Sequence, residues 1–190
     1  MLTGKSMNTM AIDINTRHID VIFANKDEYT LVTVVIPFIT DSNSPAISRV
    51  STKLMKLAKS YKVKVLATEM MNSALASRLP PSKSGWKYID LTDSIIKFAE
   101  DVGLIVVKVD PRFTSRRCAR CHCVAHVGVK EDNFFCFNCR FIIPKHFNAC
   151  LNILQEATRD LVFEKKSTGE HCIAAWEIRP NPTVIQESVV

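Results

Sequence analysis

Four cysteines fall into two close pairs, Cys118-Ala-Arg-Cys121 and Cys136-Phe-Asn-Cys139, with residues 122 to 135 between them. Two thiolates two residues apart can grip one zinc ion from a tight knuckle, and a second knuckle completes the tetrahedron. With all four positions filled by protein, no place remains for a substrate water, so zinc held here is structural. His122, Cys123 and His126 stand nearby as spare ligands, but the two pairs already satisfy the ion. The chain has 7 cysteines, and this odd number with paired spacing points to metal ligation before disulfides. Of the remaining three, Cys150 reads as a small buried hydrophobe, and Cys123 and Cys172 as ordinary thiols.

Two carboxylates are placed unusually. Asp13 lies within the apolar run Ala11-Ile-Asp-Ile14, where a buried carboxylate is costly unless a cation or hydrogen bond compensates it. Glu69 follows the apolar segment 63–68, at the end of what reads as another strand. Acids at strand ends are common. On two aligned strands, however, this pair fits an arrangement in which carboxylates hold two ions about 4 Å apart for in-line phosphodiester cleavage.

Basic residues supply a third kind of chemistry. Arg112, Arg116, Arg117 and Arg120 crowd the approach to the first knuckle, where forked guanidinium donors can reach phosphates. A solvated basic loop is the alternative. Lys53, Lys56, Lys59 and Lys62 follow the polar side of an expected helix and read as a solvated face. The formal net charge of +6 favours an anionic partner, with nucleic acid as the first candidate.

The elements that must position these groups follow from periodicity. Segments 10–14, 20–24 and 29–36 read as three strands, with turn chemistry at residues 25–28 between the second and third. Ser44-Pro45 reads as an N-cap followed by proline at the first helical position, opening a helix to about Ser60. A strand at 63–68, a Ser-, Pro- and Lys-rich loop over 73–86, a helix from about Leu91 to Val102 stopped by Gly103, and a strand at 104–109 complete the run. A last helix is expected from about His146, with Phe147, Cys150, Leu151, Leu154, Ala157 and Leu161 on its apolar face. The tail beyond about Lys165 shows no clear periodicity.

With 190 residues, 47% of them hydrophobic, the chain can bury one good core and carry a small appendage. The first residues lack a secretory pattern, and apolar runs such as Leu31–Ile36 are too short to span a bilayer. The expectation is a soluble, cytoplasmic, nucleic-acid-associated protein with no membrane partner.

Strand and helix order match an α/β, ribonuclease-H-like (RuvC-type) mixed sheet with an inserted four-cysteine zinc ribbon. The segment Val106 to Cys121, the second knuckle, the run His146-Phe-Asn-Ala-Cys-Leu-Asn-Ile153 and the stretch Trp86-Lys-Tyr-Ile-Asp-Leu91 together resemble the signature of the TnpB transposon-associated nucleases and their type V CRISPR relatives. The resemblance covers about Met10 to Leu154. It implies an RNA-guided DNA endonuclease whose first two acidic residues are Asp13 and Glu69, with DNA and guide RNA as partners. It also implies a division into a first part of the RuvC-like core at 1–110, a zinc ribbon at 111–143, the final core helix at 144–166 and a tail at 167–190.

Three positions depart from that family. Its third catalytic acid, an aspartate two residues before the Asn-Ala pair of the last helix, is His146 here. Imidazole suits manganese better than magnesium and can also move protons, so His146 is the expected third catalytic residue. Asp160 is 14 residues further along the same helix, about 21 Å away at a rise of 1.5 Å per residue, and cannot substitute. Asn15 replaces a common glycine. Only twelve residues precede Asp13, so the guide-binding lobe is expected to be missing from this chain. Two alternatives stay open: a catalytically impaired nucleic-acid-binding protein, such as a repressor or transposon remnant, and one subunit of a split effector whose second polypeptide carries the recognition lobe.

Overall fold

The computed structural model describes residues 8–24, 29–70, 86–125, 127–166 and 183–188. The expected turn at 25–28, most of the 73–86 loop, His126 and Cys172 lie outside the described residues. A central sheet is built from β1 (Thr9–Ile14), β2 (His18–Ala24), β3 (Tyr29–Val35), β4 (Val65–Glu69), β5 (Ile105–Val109) and β9 (Thr183–Ser188). Its order is β5-β4-β1-β2-β3-β9, with β1, β2 and β3 antiparallel and β4, β5 and β9 parallel to their inner neighbours. This mixed sheet is ribonuclease-H-like, as the order of elements predicts.

Alternation along the strands sorts two cores. Met10, Ile12, Ile19, Val21, Val32 and Leu66 face α1 (Pro45–Ser60) and α2 (Tyr88–Asp101). Ala11, Ile22, Leu31, Ala67 and Val109 face α3 (Lys145–Lys166), which brings Phe147, Cys150, Leu151 and Leu154. A period of two places Asp13, Asp20 and Glu69 on the α3 side with Ala11, Ile22 and Ala67.

The helix ends explain their lengths. Ser44 caps α1 by accepting the amide of Ala46 at 3.3 Å, with Pro45 in the first turn. Beyond α2, Gly103 adopts φ 80°, while its amide reaches Glu100 O and that of Leu104 reaches Ala99 O, a Schellman closure. The same closure ends α1, where Lys62 takes the left-handed position at φ 53°. Helix α2 begins three residues earlier than the sequence suggests, because Asp90 lies within its first turn instead of preceding it. There its charge favours the positive helix end, and its Oδ2 also accepts from Ser42 at 2.9 Å.

Between β5 and α3 a small second sheet contains β6 (Val127–Lys130), β7 (Asn133–Cys136) and β8 (Ile142–Pro144), in the order β6-β7-β8. It carries the second cysteine pair. The tail does more than the sequence suggests: β9 pairs in parallel with β3 over Thr30–Val35. Among the described residues, no helix is long and apolar enough to cross a membrane.

Candidate active site

Strand register assembles a polar row on the α3 face of the sheet. Asp13 lies opposite Asp20 of β2, and Asp20 opposite Thr33 of β3. The parallel β1–β4 register runs from Thr9↔Val65 to Ala11↔Ala67, and two further residues bring Asp13 abreast of Glu69. On the far side Glu69 pairs with Val109.

Helix α3 lowers its first turn onto this row. His146 Nδ1 lies 2.9 Å from Asp13 Oδ2, which also accepts the side-chain amide of Asn15 at 3.0 Å. The replacement at position 15 therefore holds the aspartate through a side chain where glycine could offer none. Glu69 turns toward the 111–120 loop, where its Oε1 and Pro111 O share the single O–H of Thr114 as acceptors. Burial raises the Glu69 carboxyl to about 7, the Thr114 hydrogen bond opposes this, and the nearby Asp13 charge adds to it. Tyr88, buried at the start of α2, is pushed up by its own burial and then by the charges of Glu69 and Asp13.

The sequence-predicted arginines separate into two kinds. Arg112 is exposed and paired with Asp110 at 2.7 Å, while Arg116 and Arg120 are exposed on the same loop. Arg117 is drawn inward to Glu156 at 2.9 Å and Asn152 at 3.3 Å.

That inward pull belongs to a clamp the sequence reading missed. Asn148 and Asn152, one helical turn apart on α3 and both fully buried, serve the loop. Asn148 accepts the amide of Ala119 and donates to Arg117 O; Asn152 donates to Thr114 O and Arg117 O. Gln155 adds a bond to Ala119 O at 2.8 Å. These residues fix the loop that bears Thr114 and the first knuckle to the helix that bears His146.

The four paired cysteines converge, their sulfurs all within 4.8 Å of one another. Cys118 Sγ is 3.6 Å from Cys139 Sγ, and Cys121 Sγ 3.5 Å from Cys136 Sγ. An ion with bonds of about 2.3 Å holds tetrahedral sulfurs about 3.8 Å apart, so the cradle suits a zinc-sized ion. Burial opposes ionisation at Cys121, but hydrogen bonds from the Cys123 backbone and the Asn138 amide outweigh it and bring the thiol down to about 6. Cys150 packs in the core and donates to Asp20 O at 3.1 Å.

A second grouping was not anticipated. Donor atoms of His18, Asp20 and His146 also lie within 4.8 Å of one another. The His-x-Asp spacing on β2 was the available signal, since two residues apart on a strand share a face.

Comparison with known proteins agrees with this construction. Residues 88–153 match the family model described as Cas12f1-like, TNB domain. The CRISPR-associated endodeoxyribonuclease Cas12f1 of Sulfoacidibacillus thermotolerans is 36% identical over 69 residues, which cover 36% of this chain and 16% of that protein. Among solved structures, a cryo-EM Cas12f1–sgRNA–target DNA complex aligns with TM-score 0.56 at 18% identity, covering 76% of this chain and 48% of that one. A CRISPR-Cas12f ternary complex gives TM-score 0.57 at 17% identity, covering 76% and 38% respectively. At these identities the structural likeness speaks to fold, and the chain spans less than half the length of these relatives. Fold and cysteine cluster define a RuvC-like domain with an inserted ribbon. With the family match over residues 88–153, this RuvC-like fold is similar to that of the Cas12f nucleases.

Proposed function

We propose that this chain is the DNA-cleaving domain of an RNA-guided nuclease and works with divalent metal ions. The carrying observation is the meeting of Asp13, abreast of Glu69 on a neighbouring parallel strand, with His146 at the first turn of α3. Carboxylates at the ends of buried strands suit hard cations, and an imidazole beside them widens the choice to manganese. When bound, such ions polarise the phosphodiester and activate the attacking water. Asp13 and Glu69 hold the ions, Asn15 and Thr114 orient those carboxylates, and His146 takes the third position. Zinc at Cys118, Cys121, Cys136 and Cys139 keeps the ribbon folded, and Arg112, Arg116 and Arg120 face the nucleic-acid backbone. A related protein solved with sgRNA and target DNA supports nucleic acid as the partner. Its setting is then the cytoplasm.

One observation favours a second reading. An imidazole occupies the place of the family's third carboxylate and is paired with Asp13, which suits a domain that binds nucleic acid without cutting it. An assay on single- and double-stranded DNA, with magnesium or manganese and with or without guide RNA, separates the two. Cleavage in any metal arm supports the enzyme, while salt-sensitive binding without cleavage supports the binding module.

A further inference from the structure

Asp20 is a buried carboxylate gathered with two imidazoles, His18 and His146. It is 3% exposed, and its Oδ1 accepts the Thr33 hydroxyl at 2.6 Å. Its Oδ2 faces His18 Nε2 at 3.0 Å, an ion pair whenever that ring is protonated. Two donors of one ion, each about 2.1 Å from it and at right angles, stand about 3.0 Å apart. The His18–Asp20 separation of 3.0 Å therefore suits a pair of ligands on one ion as well as an ion pair.

The third donor is already oriented. Asp13 Oδ2 lies 2.9 Å from His146 Nδ1, a carboxylate contact that orients the ring beside His18 and Asp20. A carboxylate behind a ligating imidazole fixes its tautomer and raises its basicity, and the Thr33 hydroxyl does similar orienting work behind Asp20. The His18 and His146 rings meet edge to face with centroids 4.9 Å apart. Both side chains are partly open to solvent, 31% and 28% exposed, so an ion has an entry path and room for water.

We infer that His18, Asp20 and His146 form a site for a first-row transition-metal dication such as manganese or zinc, with Asp13 and Thr33 as orienting partners. Two imidazole nitrogens and one carboxylate oxygen discriminate against magnesium, which demands oxygen ligands. The site deepens the cleavage reading because it shares His146, but its binding chemistry rests on His18 and Asp20.

The test is manganese titration of the full chain with its ribbon zinc retained, in a Glu69→Gln background, read by the EPR signal of free manganese and by pulsed EPR of the bound ion. One manganese per chain with nitrogen coupling from two imidazoles is expected. His18→Ala should remove half of that coupling and weaken binding at least about tenfold, while the ribbon zinc count stays at one and reports an intact fold. Asp20→Asn should weaken binding while keeping both couplings. Bound manganese without nitrogen coupling, or binding indifferent to His18→Ala, overturns the site. Nitrogen-coupled binding without DNA cleavage by the unsubstituted chain defeats the cleavage reading and leaves this site standing.

Discussion

His146 Nδ1 and Asp13 Oδ2 stand 2.9 Å apart although 133 residues separate them in sequence. The contact joins the first turn of α3 to the central strand, so the chemistry at position 146 acts directly on Asp13. Cleavage is expected to run faster with manganese than with magnesium, and His146→Asp should raise the rate and move the preference to magnesium. Asp13→Ala and Glu69→Ala should each lower the rate at least about 100-fold, since a misplaced metal forfeits several kcal/mol of barrier lowering. Single-turnover cleavage with each metal measures all three; unchanged metal preference in His146→Asp counts against the third position.

Glu69 makes the metal-free domain sensitive to pH. Its folded carboxyl sits near 7, above its ordinary 4.5, because burial disfavours the charge. The associated stability is fully present below about pH 4.5 and is lost as pH rises through 7. Glu69→Gln should flatten this decline and leave the variant more stable than the parent above pH 7, by at most about 3 kcal/mol. Urea unfolding between pH 5 and 8 without added magnesium or manganese reads the difference, and parallel curves for the two proteins would refute it.

The arginines should separate by assay. Arg116→Ala with Arg120→Ala removes two exposed cations and should flatten the salt dependence of duplex binding by about 1.8 in the log–log slope, with little change in stability. Arg117→Ala should instead destabilise the fold, because it leaves Glu156 and Asn152 without their guanidinium. Asn152→Ala should cost more, about 2–4 kcal/mol, since two loop carbonyls lose a buried donor. Binding isotherms across salt and chemical denaturation distinguish these roles.

Changing any of Cys118, Cys121, Cys136 or Cys139 to serine should release the ribbon's metal and unfold β6–β8 locally. The cause is that a closed site of this kind supplies the folding energy of so small a sheet. Elemental analysis should find one zinc per chain in the parent and a marked loss in each variant; a zinc-free parent would contradict the assignment.

Lys62 occupies the left-handed position that closes α1 at φ 53°. Glycine has no Cβ to strain there, so Lys62→Gly should stabilise the domain by about 1 kcal/mol. Thermal denaturation tests this directly, and a lowered midpoint would mean that the side chain contributes more than its backbone strain costs.

Local signals made much of the fold legible. Ser44-Pro45 marked the start of α1, Gly103 marked the stop after α2, and alternation around Ala11 and Ile12 gave β1 its two faces. The paired cysteine spacing announced their convergence because a knuckle is a local structure. Non-local pairing hid the rest. His18 and Asp20 look like ordinary strand polar residues until the β1–β2 hairpin sets Asp20 opposite Asp13. Asn148 and Asn152 lie off the helix's apolar stripe, and only the 111–120 loop folding over them turns that polar face inward. Six residues at 183–188 carry no period strong enough to foretell a strand, because their partner lies some 150 residues earlier.

The last strand has a consequence for how the molecule behaves in company. Without β9, the seven residues of β3 would present a row of unsatisfied amides and carbonyls along an open border. Such a border templates any extended segment that meets it, including the same border of another molecule. By lying along β3, residues 183–188 satisfy that row and shift the open border of the sheet to β9 itself, so what this side of the sheet can recruit is set by the last strand of the chain.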